Sequence, residues 1–279
     1  MQKPQHTTLS PAIPIALWRR FRRWYLNYVS WPIPLWRLKG SVPVSLGGYP
    51  FRFCVVSETC SWANVVRINR WEAEGLAYLR NNVRPGDQFV DIGAWVGPYA
   101  LLASRLVEPT GRVYAIEPDP VARAALERNI AENSAPNISV IPWAVTEQRG
   151  MIDLDVSALG DSRTKVRRGK SGHEVASVTL DEFCDQEGLI PSVIKIDVEG
   201  AETRVFAGGK TTLRRARAVI LEFHQTEIWE SGMDPSLFWR QLFDLGKRVF
   251  LLGAADGLPS GTELSPESMV PGNVHVLLR

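Results

Sequence analysis

The sequence predicts an α/β protein built on an open, mainly parallel β-sheet that helices cover on both faces. Three observations support this prediction. Apolar segments typical of strands alternate with helical segments from residue 88 onward. A glycine-containing turn, Asp91 to Gly97, follows the first of these strands. The last two strand segments are joined by a loop rich in Pro, Gly and Ser, which leaves no room for a crossover helix, so they should pair antiparallel.

The elements of the predicted sheet follow in a regular order. Strands are expected at Gln88 to Gly93, Arg112 to Glu117, Ile138 to Val145, Val193 to Asp197, Ala218 to Phe223, Arg248 to Leu252 and Val274 to Leu278. Helices are expected at Tyr99 to Leu106, Val121 to Asn133 and Pro235 to Leu245. Before the sheet, the pattern predicts a hairpin from Val42 to Val56 around Gly47-Gly48 and a helix from about Arg70 to Asn81.

Charge divides the chain into a basic arm and an acidic body. Residues 1–57 hold eight of the 32 basic residues and no Asp or Glu, and the remaining 24 basic and 30 acidic residues give the rest a net charge of −6. From Leu17 to Tyr28, aromatic residues recur at helical spacing with arginines between them, which predicts an amphipathic helix that Pro32 and Pro34 end. We therefore expect an arm over residues 1–40, a hairpin-and-helix extension over 41–82 and a catalytic domain over 83–279.

The basic arm has two interpretations. Residues 17–39 have the composition of a segment that lies on an anionic membrane surface, and equally of a lid whose aromatic face packs on the catalytic domain. Nucleic acid is a less favoured partner because the body is acidic. The basic loop from Gly160 to Gly172, with Arg163, Arg167 and Arg168, either attracts an anionic group or is simply a solvated loop.

The cysteines and the apolar runs bear on location. Cys54, Cys60 and Cys184 form no Cys-x-x-Cys pair, so we expect reduced thiols in a cytoplasmic protein. No stretch approaches the roughly 18 apolar residues of a membrane span, and the start of the chain lacks the apolar run of a signal peptide. These patterns predict a cytoplasmic protein, with a position at the inner membrane surface if the arm binds lipid.

The turn from Asp91 to Gly97 is the predicted cofactor site. Gly93 and Ala94 bring the backbone close to a ligand, Gly97 begins the next helix, and Pro98 suits a first helical position. Trp95 stands where dinucleotide enzymes have a third glycine, and its bulk would crowd a pyrophosphate. A ligand without phosphate, S-adenosylmethionine, therefore fits better than NAD. The alternative is that the glycines only make a tight turn.

Two acids should contact this cofactor. Glu117 ends the second strand, twenty residues after Gly97, where the ribose hydroxyls of a nucleoside arrive in open α/β folds, and Pro118 follows it. Asp91 would face the methionine part, whose amino group needs a carboxylate. Ala144, at the end of the third strand, is assigned to the same site.

Several motifs resemble one family. They are Val178-Thr179-Leu180-Asp181, the run Ile194-Lys195-Ile196-Asp197-Val198-Glu199-Gly200-Ala201-Glu202, the Asp91 turn and Ile116-Glu117-Pro118. Together they resemble the FkbM family of methyltransferases over roughly residues 83–225. The resemblance implies O-methylation of hydroxyls of sugars, glycolipids or related natural products, on a class I methyltransferase sheet. This sequence departs from the family at Trp95, where Asn is usual, and at Ala100, where Thr is usual.

Independently of the resemblance, polar residues converge at the ends of two strands. Lys195, Asp197, Glu199 and Glu202 follow one predicted strand, and His224 ends the next. Methyl transfer to an alcohol requires removal of a proton, so a histidine with an ordinary pKa of about 6.5 could be the base. We assign His224 as the base, Asp197 as the alternative, and Lys195 and Glu199 to the catalytic group. The competing interpretation is that His224 is structural and that Asp197 and Glu199 cap the next helix.

A bound metal is not favoured by the sequence. Asp197 and Glu199 could bind Mg²⁺ through oxygen ligands, but two carboxylates in a row are a poor metal signature. The competing functions are a nucleotide-dependent oxidoreductase or epimerase, and a membrane-associated binding protein that keeps the fold without turnover. Trp95 is the residue that favours the second alternative.

Overall fold

The computed structural model describes residues 40–54, 72–154 and 173–279, and the backbone of Val166–Arg167. The predicted helix from Leu17 to Tyr28, Cys60 and most of the basic loop lie outside these residues. In the described part, the strands are β1 (Ser41–Leu46), β2 (Tyr49–Cys54), β3 (Gln88–Ile92), β4 (Arg112–Ile116), β5 (Ile138–Ile141), β6 (Ala144–Val145), β7 (Gly150–Leu154), β8 (Val166–Arg167), β9 (His173–Val178), β10 (Val193–Ile196), β11 (Ala218–Phe223), β12 (Val249–Leu251), β13 (Glu263–Leu264) and β14 (Val274–Leu278).

Along the chain, most helices in the described residues connect one strand to the next. They are α1 (Ala73–Asn82), α2 (Pro98–Val107), α3 (Pro120–Glu132), α4 (Leu180–Glu187), α5 (Glu202–Gly208), α6 (Lys210–Arg215), α7 (Gln225–Glu230) and α8 (Pro235–Phe243). The predicted helices are present as α1, α2, α3 and α8. Of the four short helices α4 to α7, only α5 was considered from the sequence, as the helix that Asp197 and Glu199 would cap. The others were not predicted, because segments of six to eight residues carry too little periodicity to stand out.

The predicted α/β fold is confirmed. Eight strands form one sheet in the order β13-β12-β14-β11-β10-β3-β4-β5. The pairs from β11 through β10, β3 and β4 to β5 are parallel, whereas β14 pairs antiparallel with both β11 and β12. The expected antiparallel end is therefore present, and the loop before β14 also holds the short edge strand β13. The parallel order brings the carboxyl ends of β3, β4, β10 and β11 to one edge.

Two buried apolar clusters lie on the two faces of this sheet. One contains side chains of α1, α2 and α3 together with the hairpin β1–β2, for example Phe53 and Leu102. The other contains side chains of α4 to α8, for example Phe183 and Trp239. Burial of apolar surface on both faces is what an open parallel sheet requires. The hairpin shares the first cluster, so its apolar face belongs to the same core as the sheet.

One predicted strand is wrong. The segment Ile138 to Val145 is not a single strand, since β5 ends at Ile141 and β6 belongs to a separate sheet of order β6-β9-β7-β8. Pro142 lies between them, and proline cannot donate a ladder hydrogen bond. The break allows the chain to leave the large sheet next to the carboxyl ends of its strands, where Trp143 and Ala144 line the main cavity.

The Val178-Thr179-Leu180-Asp181 motif caps one helix and binds the start of another. The Thr179 hydroxyl accepts a hydrogen bond from the Glu182 N–H at 3.1 Å, and the Glu182 carboxylate accepts one from the Thr179 N–H at 3.3 Å, which is a capping box at the start of α4. Asp181 accepts hydrogen bonds from the N–H groups of Thr211 and Thr212 at 3.1 and 2.7 Å, in the first turn of α6. The motif thus connects two helices on one face of the sheet.

Two smaller observations concern location and thiols. Among the described helices, none has the length and apolar character needed to cross a bilayer. Cys54 and Cys184 are free thiols in the described part of the chain.

Candidate active site

A cavity of about 370 Å³ opens at the carboxyl ends of the parallel strands, and this volume lies within the usual range of small-molecule sites. Its walls include every residue assigned to a site from the sequence except Gly97. Those lining residues are Asp91, Gly93, Ala94, Glu117, Pro118, Ala144, Lys195, Asp197, Glu199 and His224. Gly97 lies just behind, as the N-cap of α2, with Pro98 at the first helical position as predicted.

The turn after β3 is packed directly against the end of β10. Gly93 has a φ of +79°, and a Cβ there would overlap the carbonyl oxygen of Asp197. The Asp197 N–H also donates a hydrogen bond to the Ile92 carbonyl at 3.0 Å. The predicted glycine therefore serves a close backbone approach between the two segments that form opposite sides of the cavity.

Glu117 is held by two backbone N–H groups. Its Oε2 accepts from the N–H of Trp95 at 2.7 Å and its Oε1 from the N–H of Asp119 at 2.8 Å. Burial raises the pKa of Glu117 to about 7, although these hydrogen bonds favour the ionised form. The carboxylate is thus fixed at the end of β4, beside Pro118, where the sequence predicts ribose contact.

Trp95 has a left-handed backbone, with a φ of +47°. Asparagine adopts this conformation more readily than a bulky side chain, which gives a physical reason for the family preference at this position. Its N–H supplies a contact that any residue but proline would supply, and its side chain packs against the apolar cluster of α2 and α3. Trp95 therefore leaves the hydrogen bond to Glu117 intact.

Asp91 and Lys195 line the cavity but are almost completely buried. Both carboxylate oxygens of Asp91 have almost no accessible area and no hydrogen-bond partner within the described residues, and Lys195 Nζ is 3.9 Å away. Burial raises the pKa of Asp91 to about 7 despite this cation. Lys195 Nζ donates to Asp197 Oδ2 at 2.8 Å and to the Gly93 carbonyl at 3.3 Å. Lys195 therefore holds the Gly93 turn and Asp197 together.

His224 is surrounded by carboxylates. Its Nδ1 lies 2.7 Å from Glu202 Oε1, and its Nε2 lies 3.4 Å from Glu222, 3.7 Å from Glu199 and 3.8 Å from Asp197. Burial alone would lower the pKa of His224, but Glu202, Glu222 and the other carboxylates raise it to about 12. The ordinary histidine pKa assumed from the sequence is therefore wrong, and without a ligand His224 carries its proton at neutral pH.

The segment after β10 turns Glu199 into the cavity. Glu199 has a φ of +52° and Gly200 one of +101°, and a Cβ at Gly200 would collide with Glu227. Burial raises the pKa of Glu199 to about 8. Glu202, the first residue of α5, lies fully buried beneath this turn and accepts a hydrogen bond from the Gly200 N–H at 3.1 Å. The idea that Asp197 and Glu199 merely cap the next helix lacks support, because no side chain caps α5.

Sequence reasoning missed part of the cavity wall. The missed lining residues include Glu72, Tyr99, Trp143, Glu222, Glu227 and Asn273. Glu222 carried a usable signal, because it alternates with His224 at the end of a strand. Glu72 had none, since it precedes a helix far from the other site residues in sequence.

Comparison with known proteins identifies the family. Residues 91–249, more than half of the chain, match the family model described as the methyltransferase FkbM domain. The chain belongs to the FkbM methyltransferase family. It is thus an S-adenosylmethionine-dependent methyltransferase, and the resemblance noted in the sequence is confirmed.

The chain is similar to the following three proteins. The hexuronic acid methyltransferase AglP of Haloferax volcanii is 27% identical over 201 residues, which cover 71% of this chain and 78% of that protein. The 2-O-methyltransferase NoeI of Sinorhizobium fredii is 29% identical over 170 residues, covering 54% of this chain and 68% of that protein. The solved methyltransferase FkbM from Methylobacillus flagellatus KT is 13% identical with a TM-score of 0.45, and the match covers 81% of this chain and 56% of that one.

Proposed function

We propose that this FkbM-family enzyme transfers the methyl group of S-adenosylmethionine to a hydroxyl oxygen of a sugar, either free or in a glycolipid or related natural product. The single observation that carries the acceptor class is the set of polar side chains Glu199, Glu222, Glu227 and Asn273 in the cavity lining. Carboxylate and amide oxygens are acceptors for hydroxyl donors. Two relatives named for a hexuronic acid and for a 2-O-position support the same class.

The described residues fit S-adenosylmethionine. Glu117 offers remaining lone pairs to a ribose diol while two backbone N–H groups hold it, and Trp143, Ala144 and Val145 supply an apolar wall beside it. The cofactor carries a sulfonium and an ammonium, and the cavity walls hold many more carboxylates than cations. Direct pairing of the ammonium with Asp91, as predicted from the sequence, requires that binding uncover this buried carboxylate.

The bound cofactor supplies an electrophilic methyl group, and the protein positions the acceptor. The acceptor oxygen must lie in line with the methyl group, and its proton must leave. Because His224 holds its own proton, we assign proton acceptance to the carboxylates around it, and we take Asp197, the alternative base named from the sequence, as the acceptor. Lys195 holds Asp197 Oδ2 at 2.8 Å, which leaves Oδ1 on the His224 side.

The basic arm extends this proposal to location. Residues 17–39 would hold the enzyme at an anionic membrane surface, on the cytoplasmic side, where a glycolipid acceptor presents its sugar. The support is the arrangement of arginines and aromatic residues in the sequence.

A methyl-transfer assay tests the acceptor class. The purified enzyme is incubated with S-adenosylmethionine labelled in the methyl group and with fractionated glycans and glycolipids from the source cell. We expect label in a sugar methyl ether, which mild alkali does not release. Label that mild alkali releases would mean a carboxyl methyl ester, and label confined to protein or nucleic acid would contradict the proposal.

A variant pair ties the activity to the site. Asp197→Asn should lower kcat strongly while S-adenosylhomocysteine, titrated by calorimetry, still binds. Asp256→Asn, on an exposed loop, is the matched control and should keep wild-type kcat. Equal activity of the two variants would remove Asp197 from the mechanism.

A further inference from the structure

The two nitrogens of His224 have different surroundings. Nδ1 makes a short contact of 2.7 Å with Glu202, a fully buried carboxylate. Nε2 has no such partner, although the residue is only 2% exposed, because its three nearest carboxylate oxygens stand at 3.4 to 3.8 Å. A direct N–H···O bond has a length of about 2.7 to 3.2 Å. Nδ1 is therefore within hydrogen-bond distance of a carboxylate, whereas Nε2 faces three carboxylate oxygens that are too far away for a direct hydrogen bond.

These separations match the ligand spacing around a small divalent cation. With metal–ligand bonds of about 2.1 Å, two ligands 3.4 to 3.8 Å apart subtend an angle of roughly 110 to 130° at the ion. Single ligand atoms from Asp197, Glu199 and His224 lie within 4.8 Å of one another. An imidazolium alone would allow the carboxylates to close to hydrogen-bond distance, as Glu202 has done on the Nδ1 side.

The neighbouring residues are arranged as supports for such ligands. Metal-binding histidines usually donate their other ring N–H to a carboxylate, which is the role Glu202 has here. Lys195 binds Asp197 through Oδ2 and leaves Oδ1 directed toward His224. Glu199 keeps an unfavourable left-handed backbone that brings its carboxylate to the same place.

We infer that Asp197, Glu199 and His224 bind a divalent transition-metal cation in the cavity. An imidazole ligand favours a transition-metal ion, for which Mn²⁺ serves as the paramagnetic probe, over Mg²⁺, which prefers oxygen ligands alone. A hydroxyl that bound this cation would lose its proton more easily. The inference reverses the sequence-based preference for a metal-free site, because the sequence did not reveal how closely His224 Nε2 approaches the carboxylates of Asp197 and Glu199. It concerns the proposed active site, but it does not depend on which acceptor is methylated.

Metal binding is tested without cofactor or acceptor. Chelator-treated, full-length enzyme is titrated with Mn²⁺, and free Mn²⁺ is measured by electron paramagnetic resonance. We expect saturable binding of one Mn²⁺ per chain, weaker competition by Mg²⁺, and a ¹⁴N coupling to the bound ion in pulsed spectra. No saturable binding at millimolar Mn²⁺ by enzyme that still binds S-adenosylhomocysteine would overturn the inference. That outcome leaves the acceptor proposal standing, since the acceptor assay is a separate measurement.

Variants identify the ligands. His224→Gln should abolish the ¹⁴N coupling and saturable binding, and Glu199→Gln should weaken binding at least as much as Glu202→Gln, for which roughly a 10- to 100-fold loss is expected. His275→Gln is the matched control, because His275 contacts Glu222 and Glu72 in a neighbouring group and should leave the coupling intact. If His275→Gln removes the coupling while His224→Gln keeps it, the ion belongs to that neighbouring group and the inference is wrong. If His224→Gln fails to fold, a coupling that persists in His275→Gln supports the inference, and a coupling that disappears there overturns it.

Discussion

At Gly93, the turn after β3 approaches the backbone of Asp197 very closely. A Cβ at this position would overlap the Asp197 carbonyl oxygen, so Gly93→Ala should push apart the two segments that form the cavity and abolish S-adenosylhomocysteine binding in calorimetry. Gly232→Ala is the matched control, because Gly232 also has a positive φ, +84°, but a Cβ there would meet nothing within 4 Å. The control should lose only roughly 1 to 2 kcal/mol of stability from backbone strain. Equal effects of the two variants would contradict the close-approach argument.

Asp91 should make the stability of the cofactor-free enzyme depend on pH. Its pKa rises from 3.8 to about 7, mainly through burial, so the folded state retains a proton that the unfolded chain releases. This contribution to stability is present below the unfolded value and is lost as the pH rises toward 7, at about 1.4 kcal/mol per pKa unit. Urea unfolding should therefore show lower stability at pH 8 than at pH 5, and Asp91→Asn should reduce the difference.

The control for this pH dependence is Asp256→Asn, which changes an exposed carboxylate in the same way. It should keep the wild-type difference between the two pH values. An undiminished difference in Asp91→Asn would show that other groups cause the pH dependence.

Single residues also show how far the sequence could reach. Glu117 was placed correctly beside the cavity because strand order and spacing fix which strand end a residue occupies. The ordinary pKa predicted for His224 was wrong, because this pKa depends on two neighbouring carboxylates. Glu202 approaches His224 from α5, and Glu222 approaches it from β11. Distances between side chains on different elements cannot be deduced from spacing along the chain.

At the level of elements, helix α4 depends on its capping box. Thr179→Ala removes the acceptor for the Glu182 N–H, so the free energy of unfolding should fall by about 0.5 to 2 kcal/mol. Thr179→Ser keeps the hydroxyl and should keep most of the stability. Denaturant unfolding measures both. Because Thr179 does not line the cavity, kcat per folded molecule should stay unchanged. A loss of kcat without a loss of stability would mean that the motif acts in catalysis.

The strand elements were predicted where the pattern is long and regular. The predicted segments of the large sheet agree with β3, β4, β10, β11, β12 and β14, because buried parallel strands are nearly continuous apolar runs. The small sheet was missed, since β6 and β8 have two residues each and are stabilised by pairing with distant β7 and β9. Pro142 marks the boundary that the sequence interpretation overlooked.

For the whole molecule, the basic arm predicts that the enzyme binds anionic membranes independently of catalysis. Deleting residues 1–38 should abolish sedimentation with anionic liposomes, because several Lys and Arg near a charged surface contribute about 1 kcal/mol each. Replacing Arg163, Arg167 and Arg168 by Ala removes positive charge elsewhere and should leave most sedimentation intact. Undiminished binding after the deletion would favour the alternative in which the arm packs on the catalytic domain.

The sequence by itself determined the alternation of strands and helices, the antiparallel end of the sheet, the Asp91 to Gly97 turn and the family. These features rest on local patterns, because hydrophobic periodicity, turn residues and spacing act within one or two elements. Only the tertiary structure decided the chemistry at the carboxyl ends of β10 and β11, where we propose that methyl transfer takes place. There Asp197 and Glu199 follow β10, Glu222 and His224 lie at the end of β11, and Glu202 begins α5. All four carboxylates lie within 3.8 Å of a nitrogen of the buried His224 ring. Their charges depend on burial and on distances across elements, which only the folded chain sets.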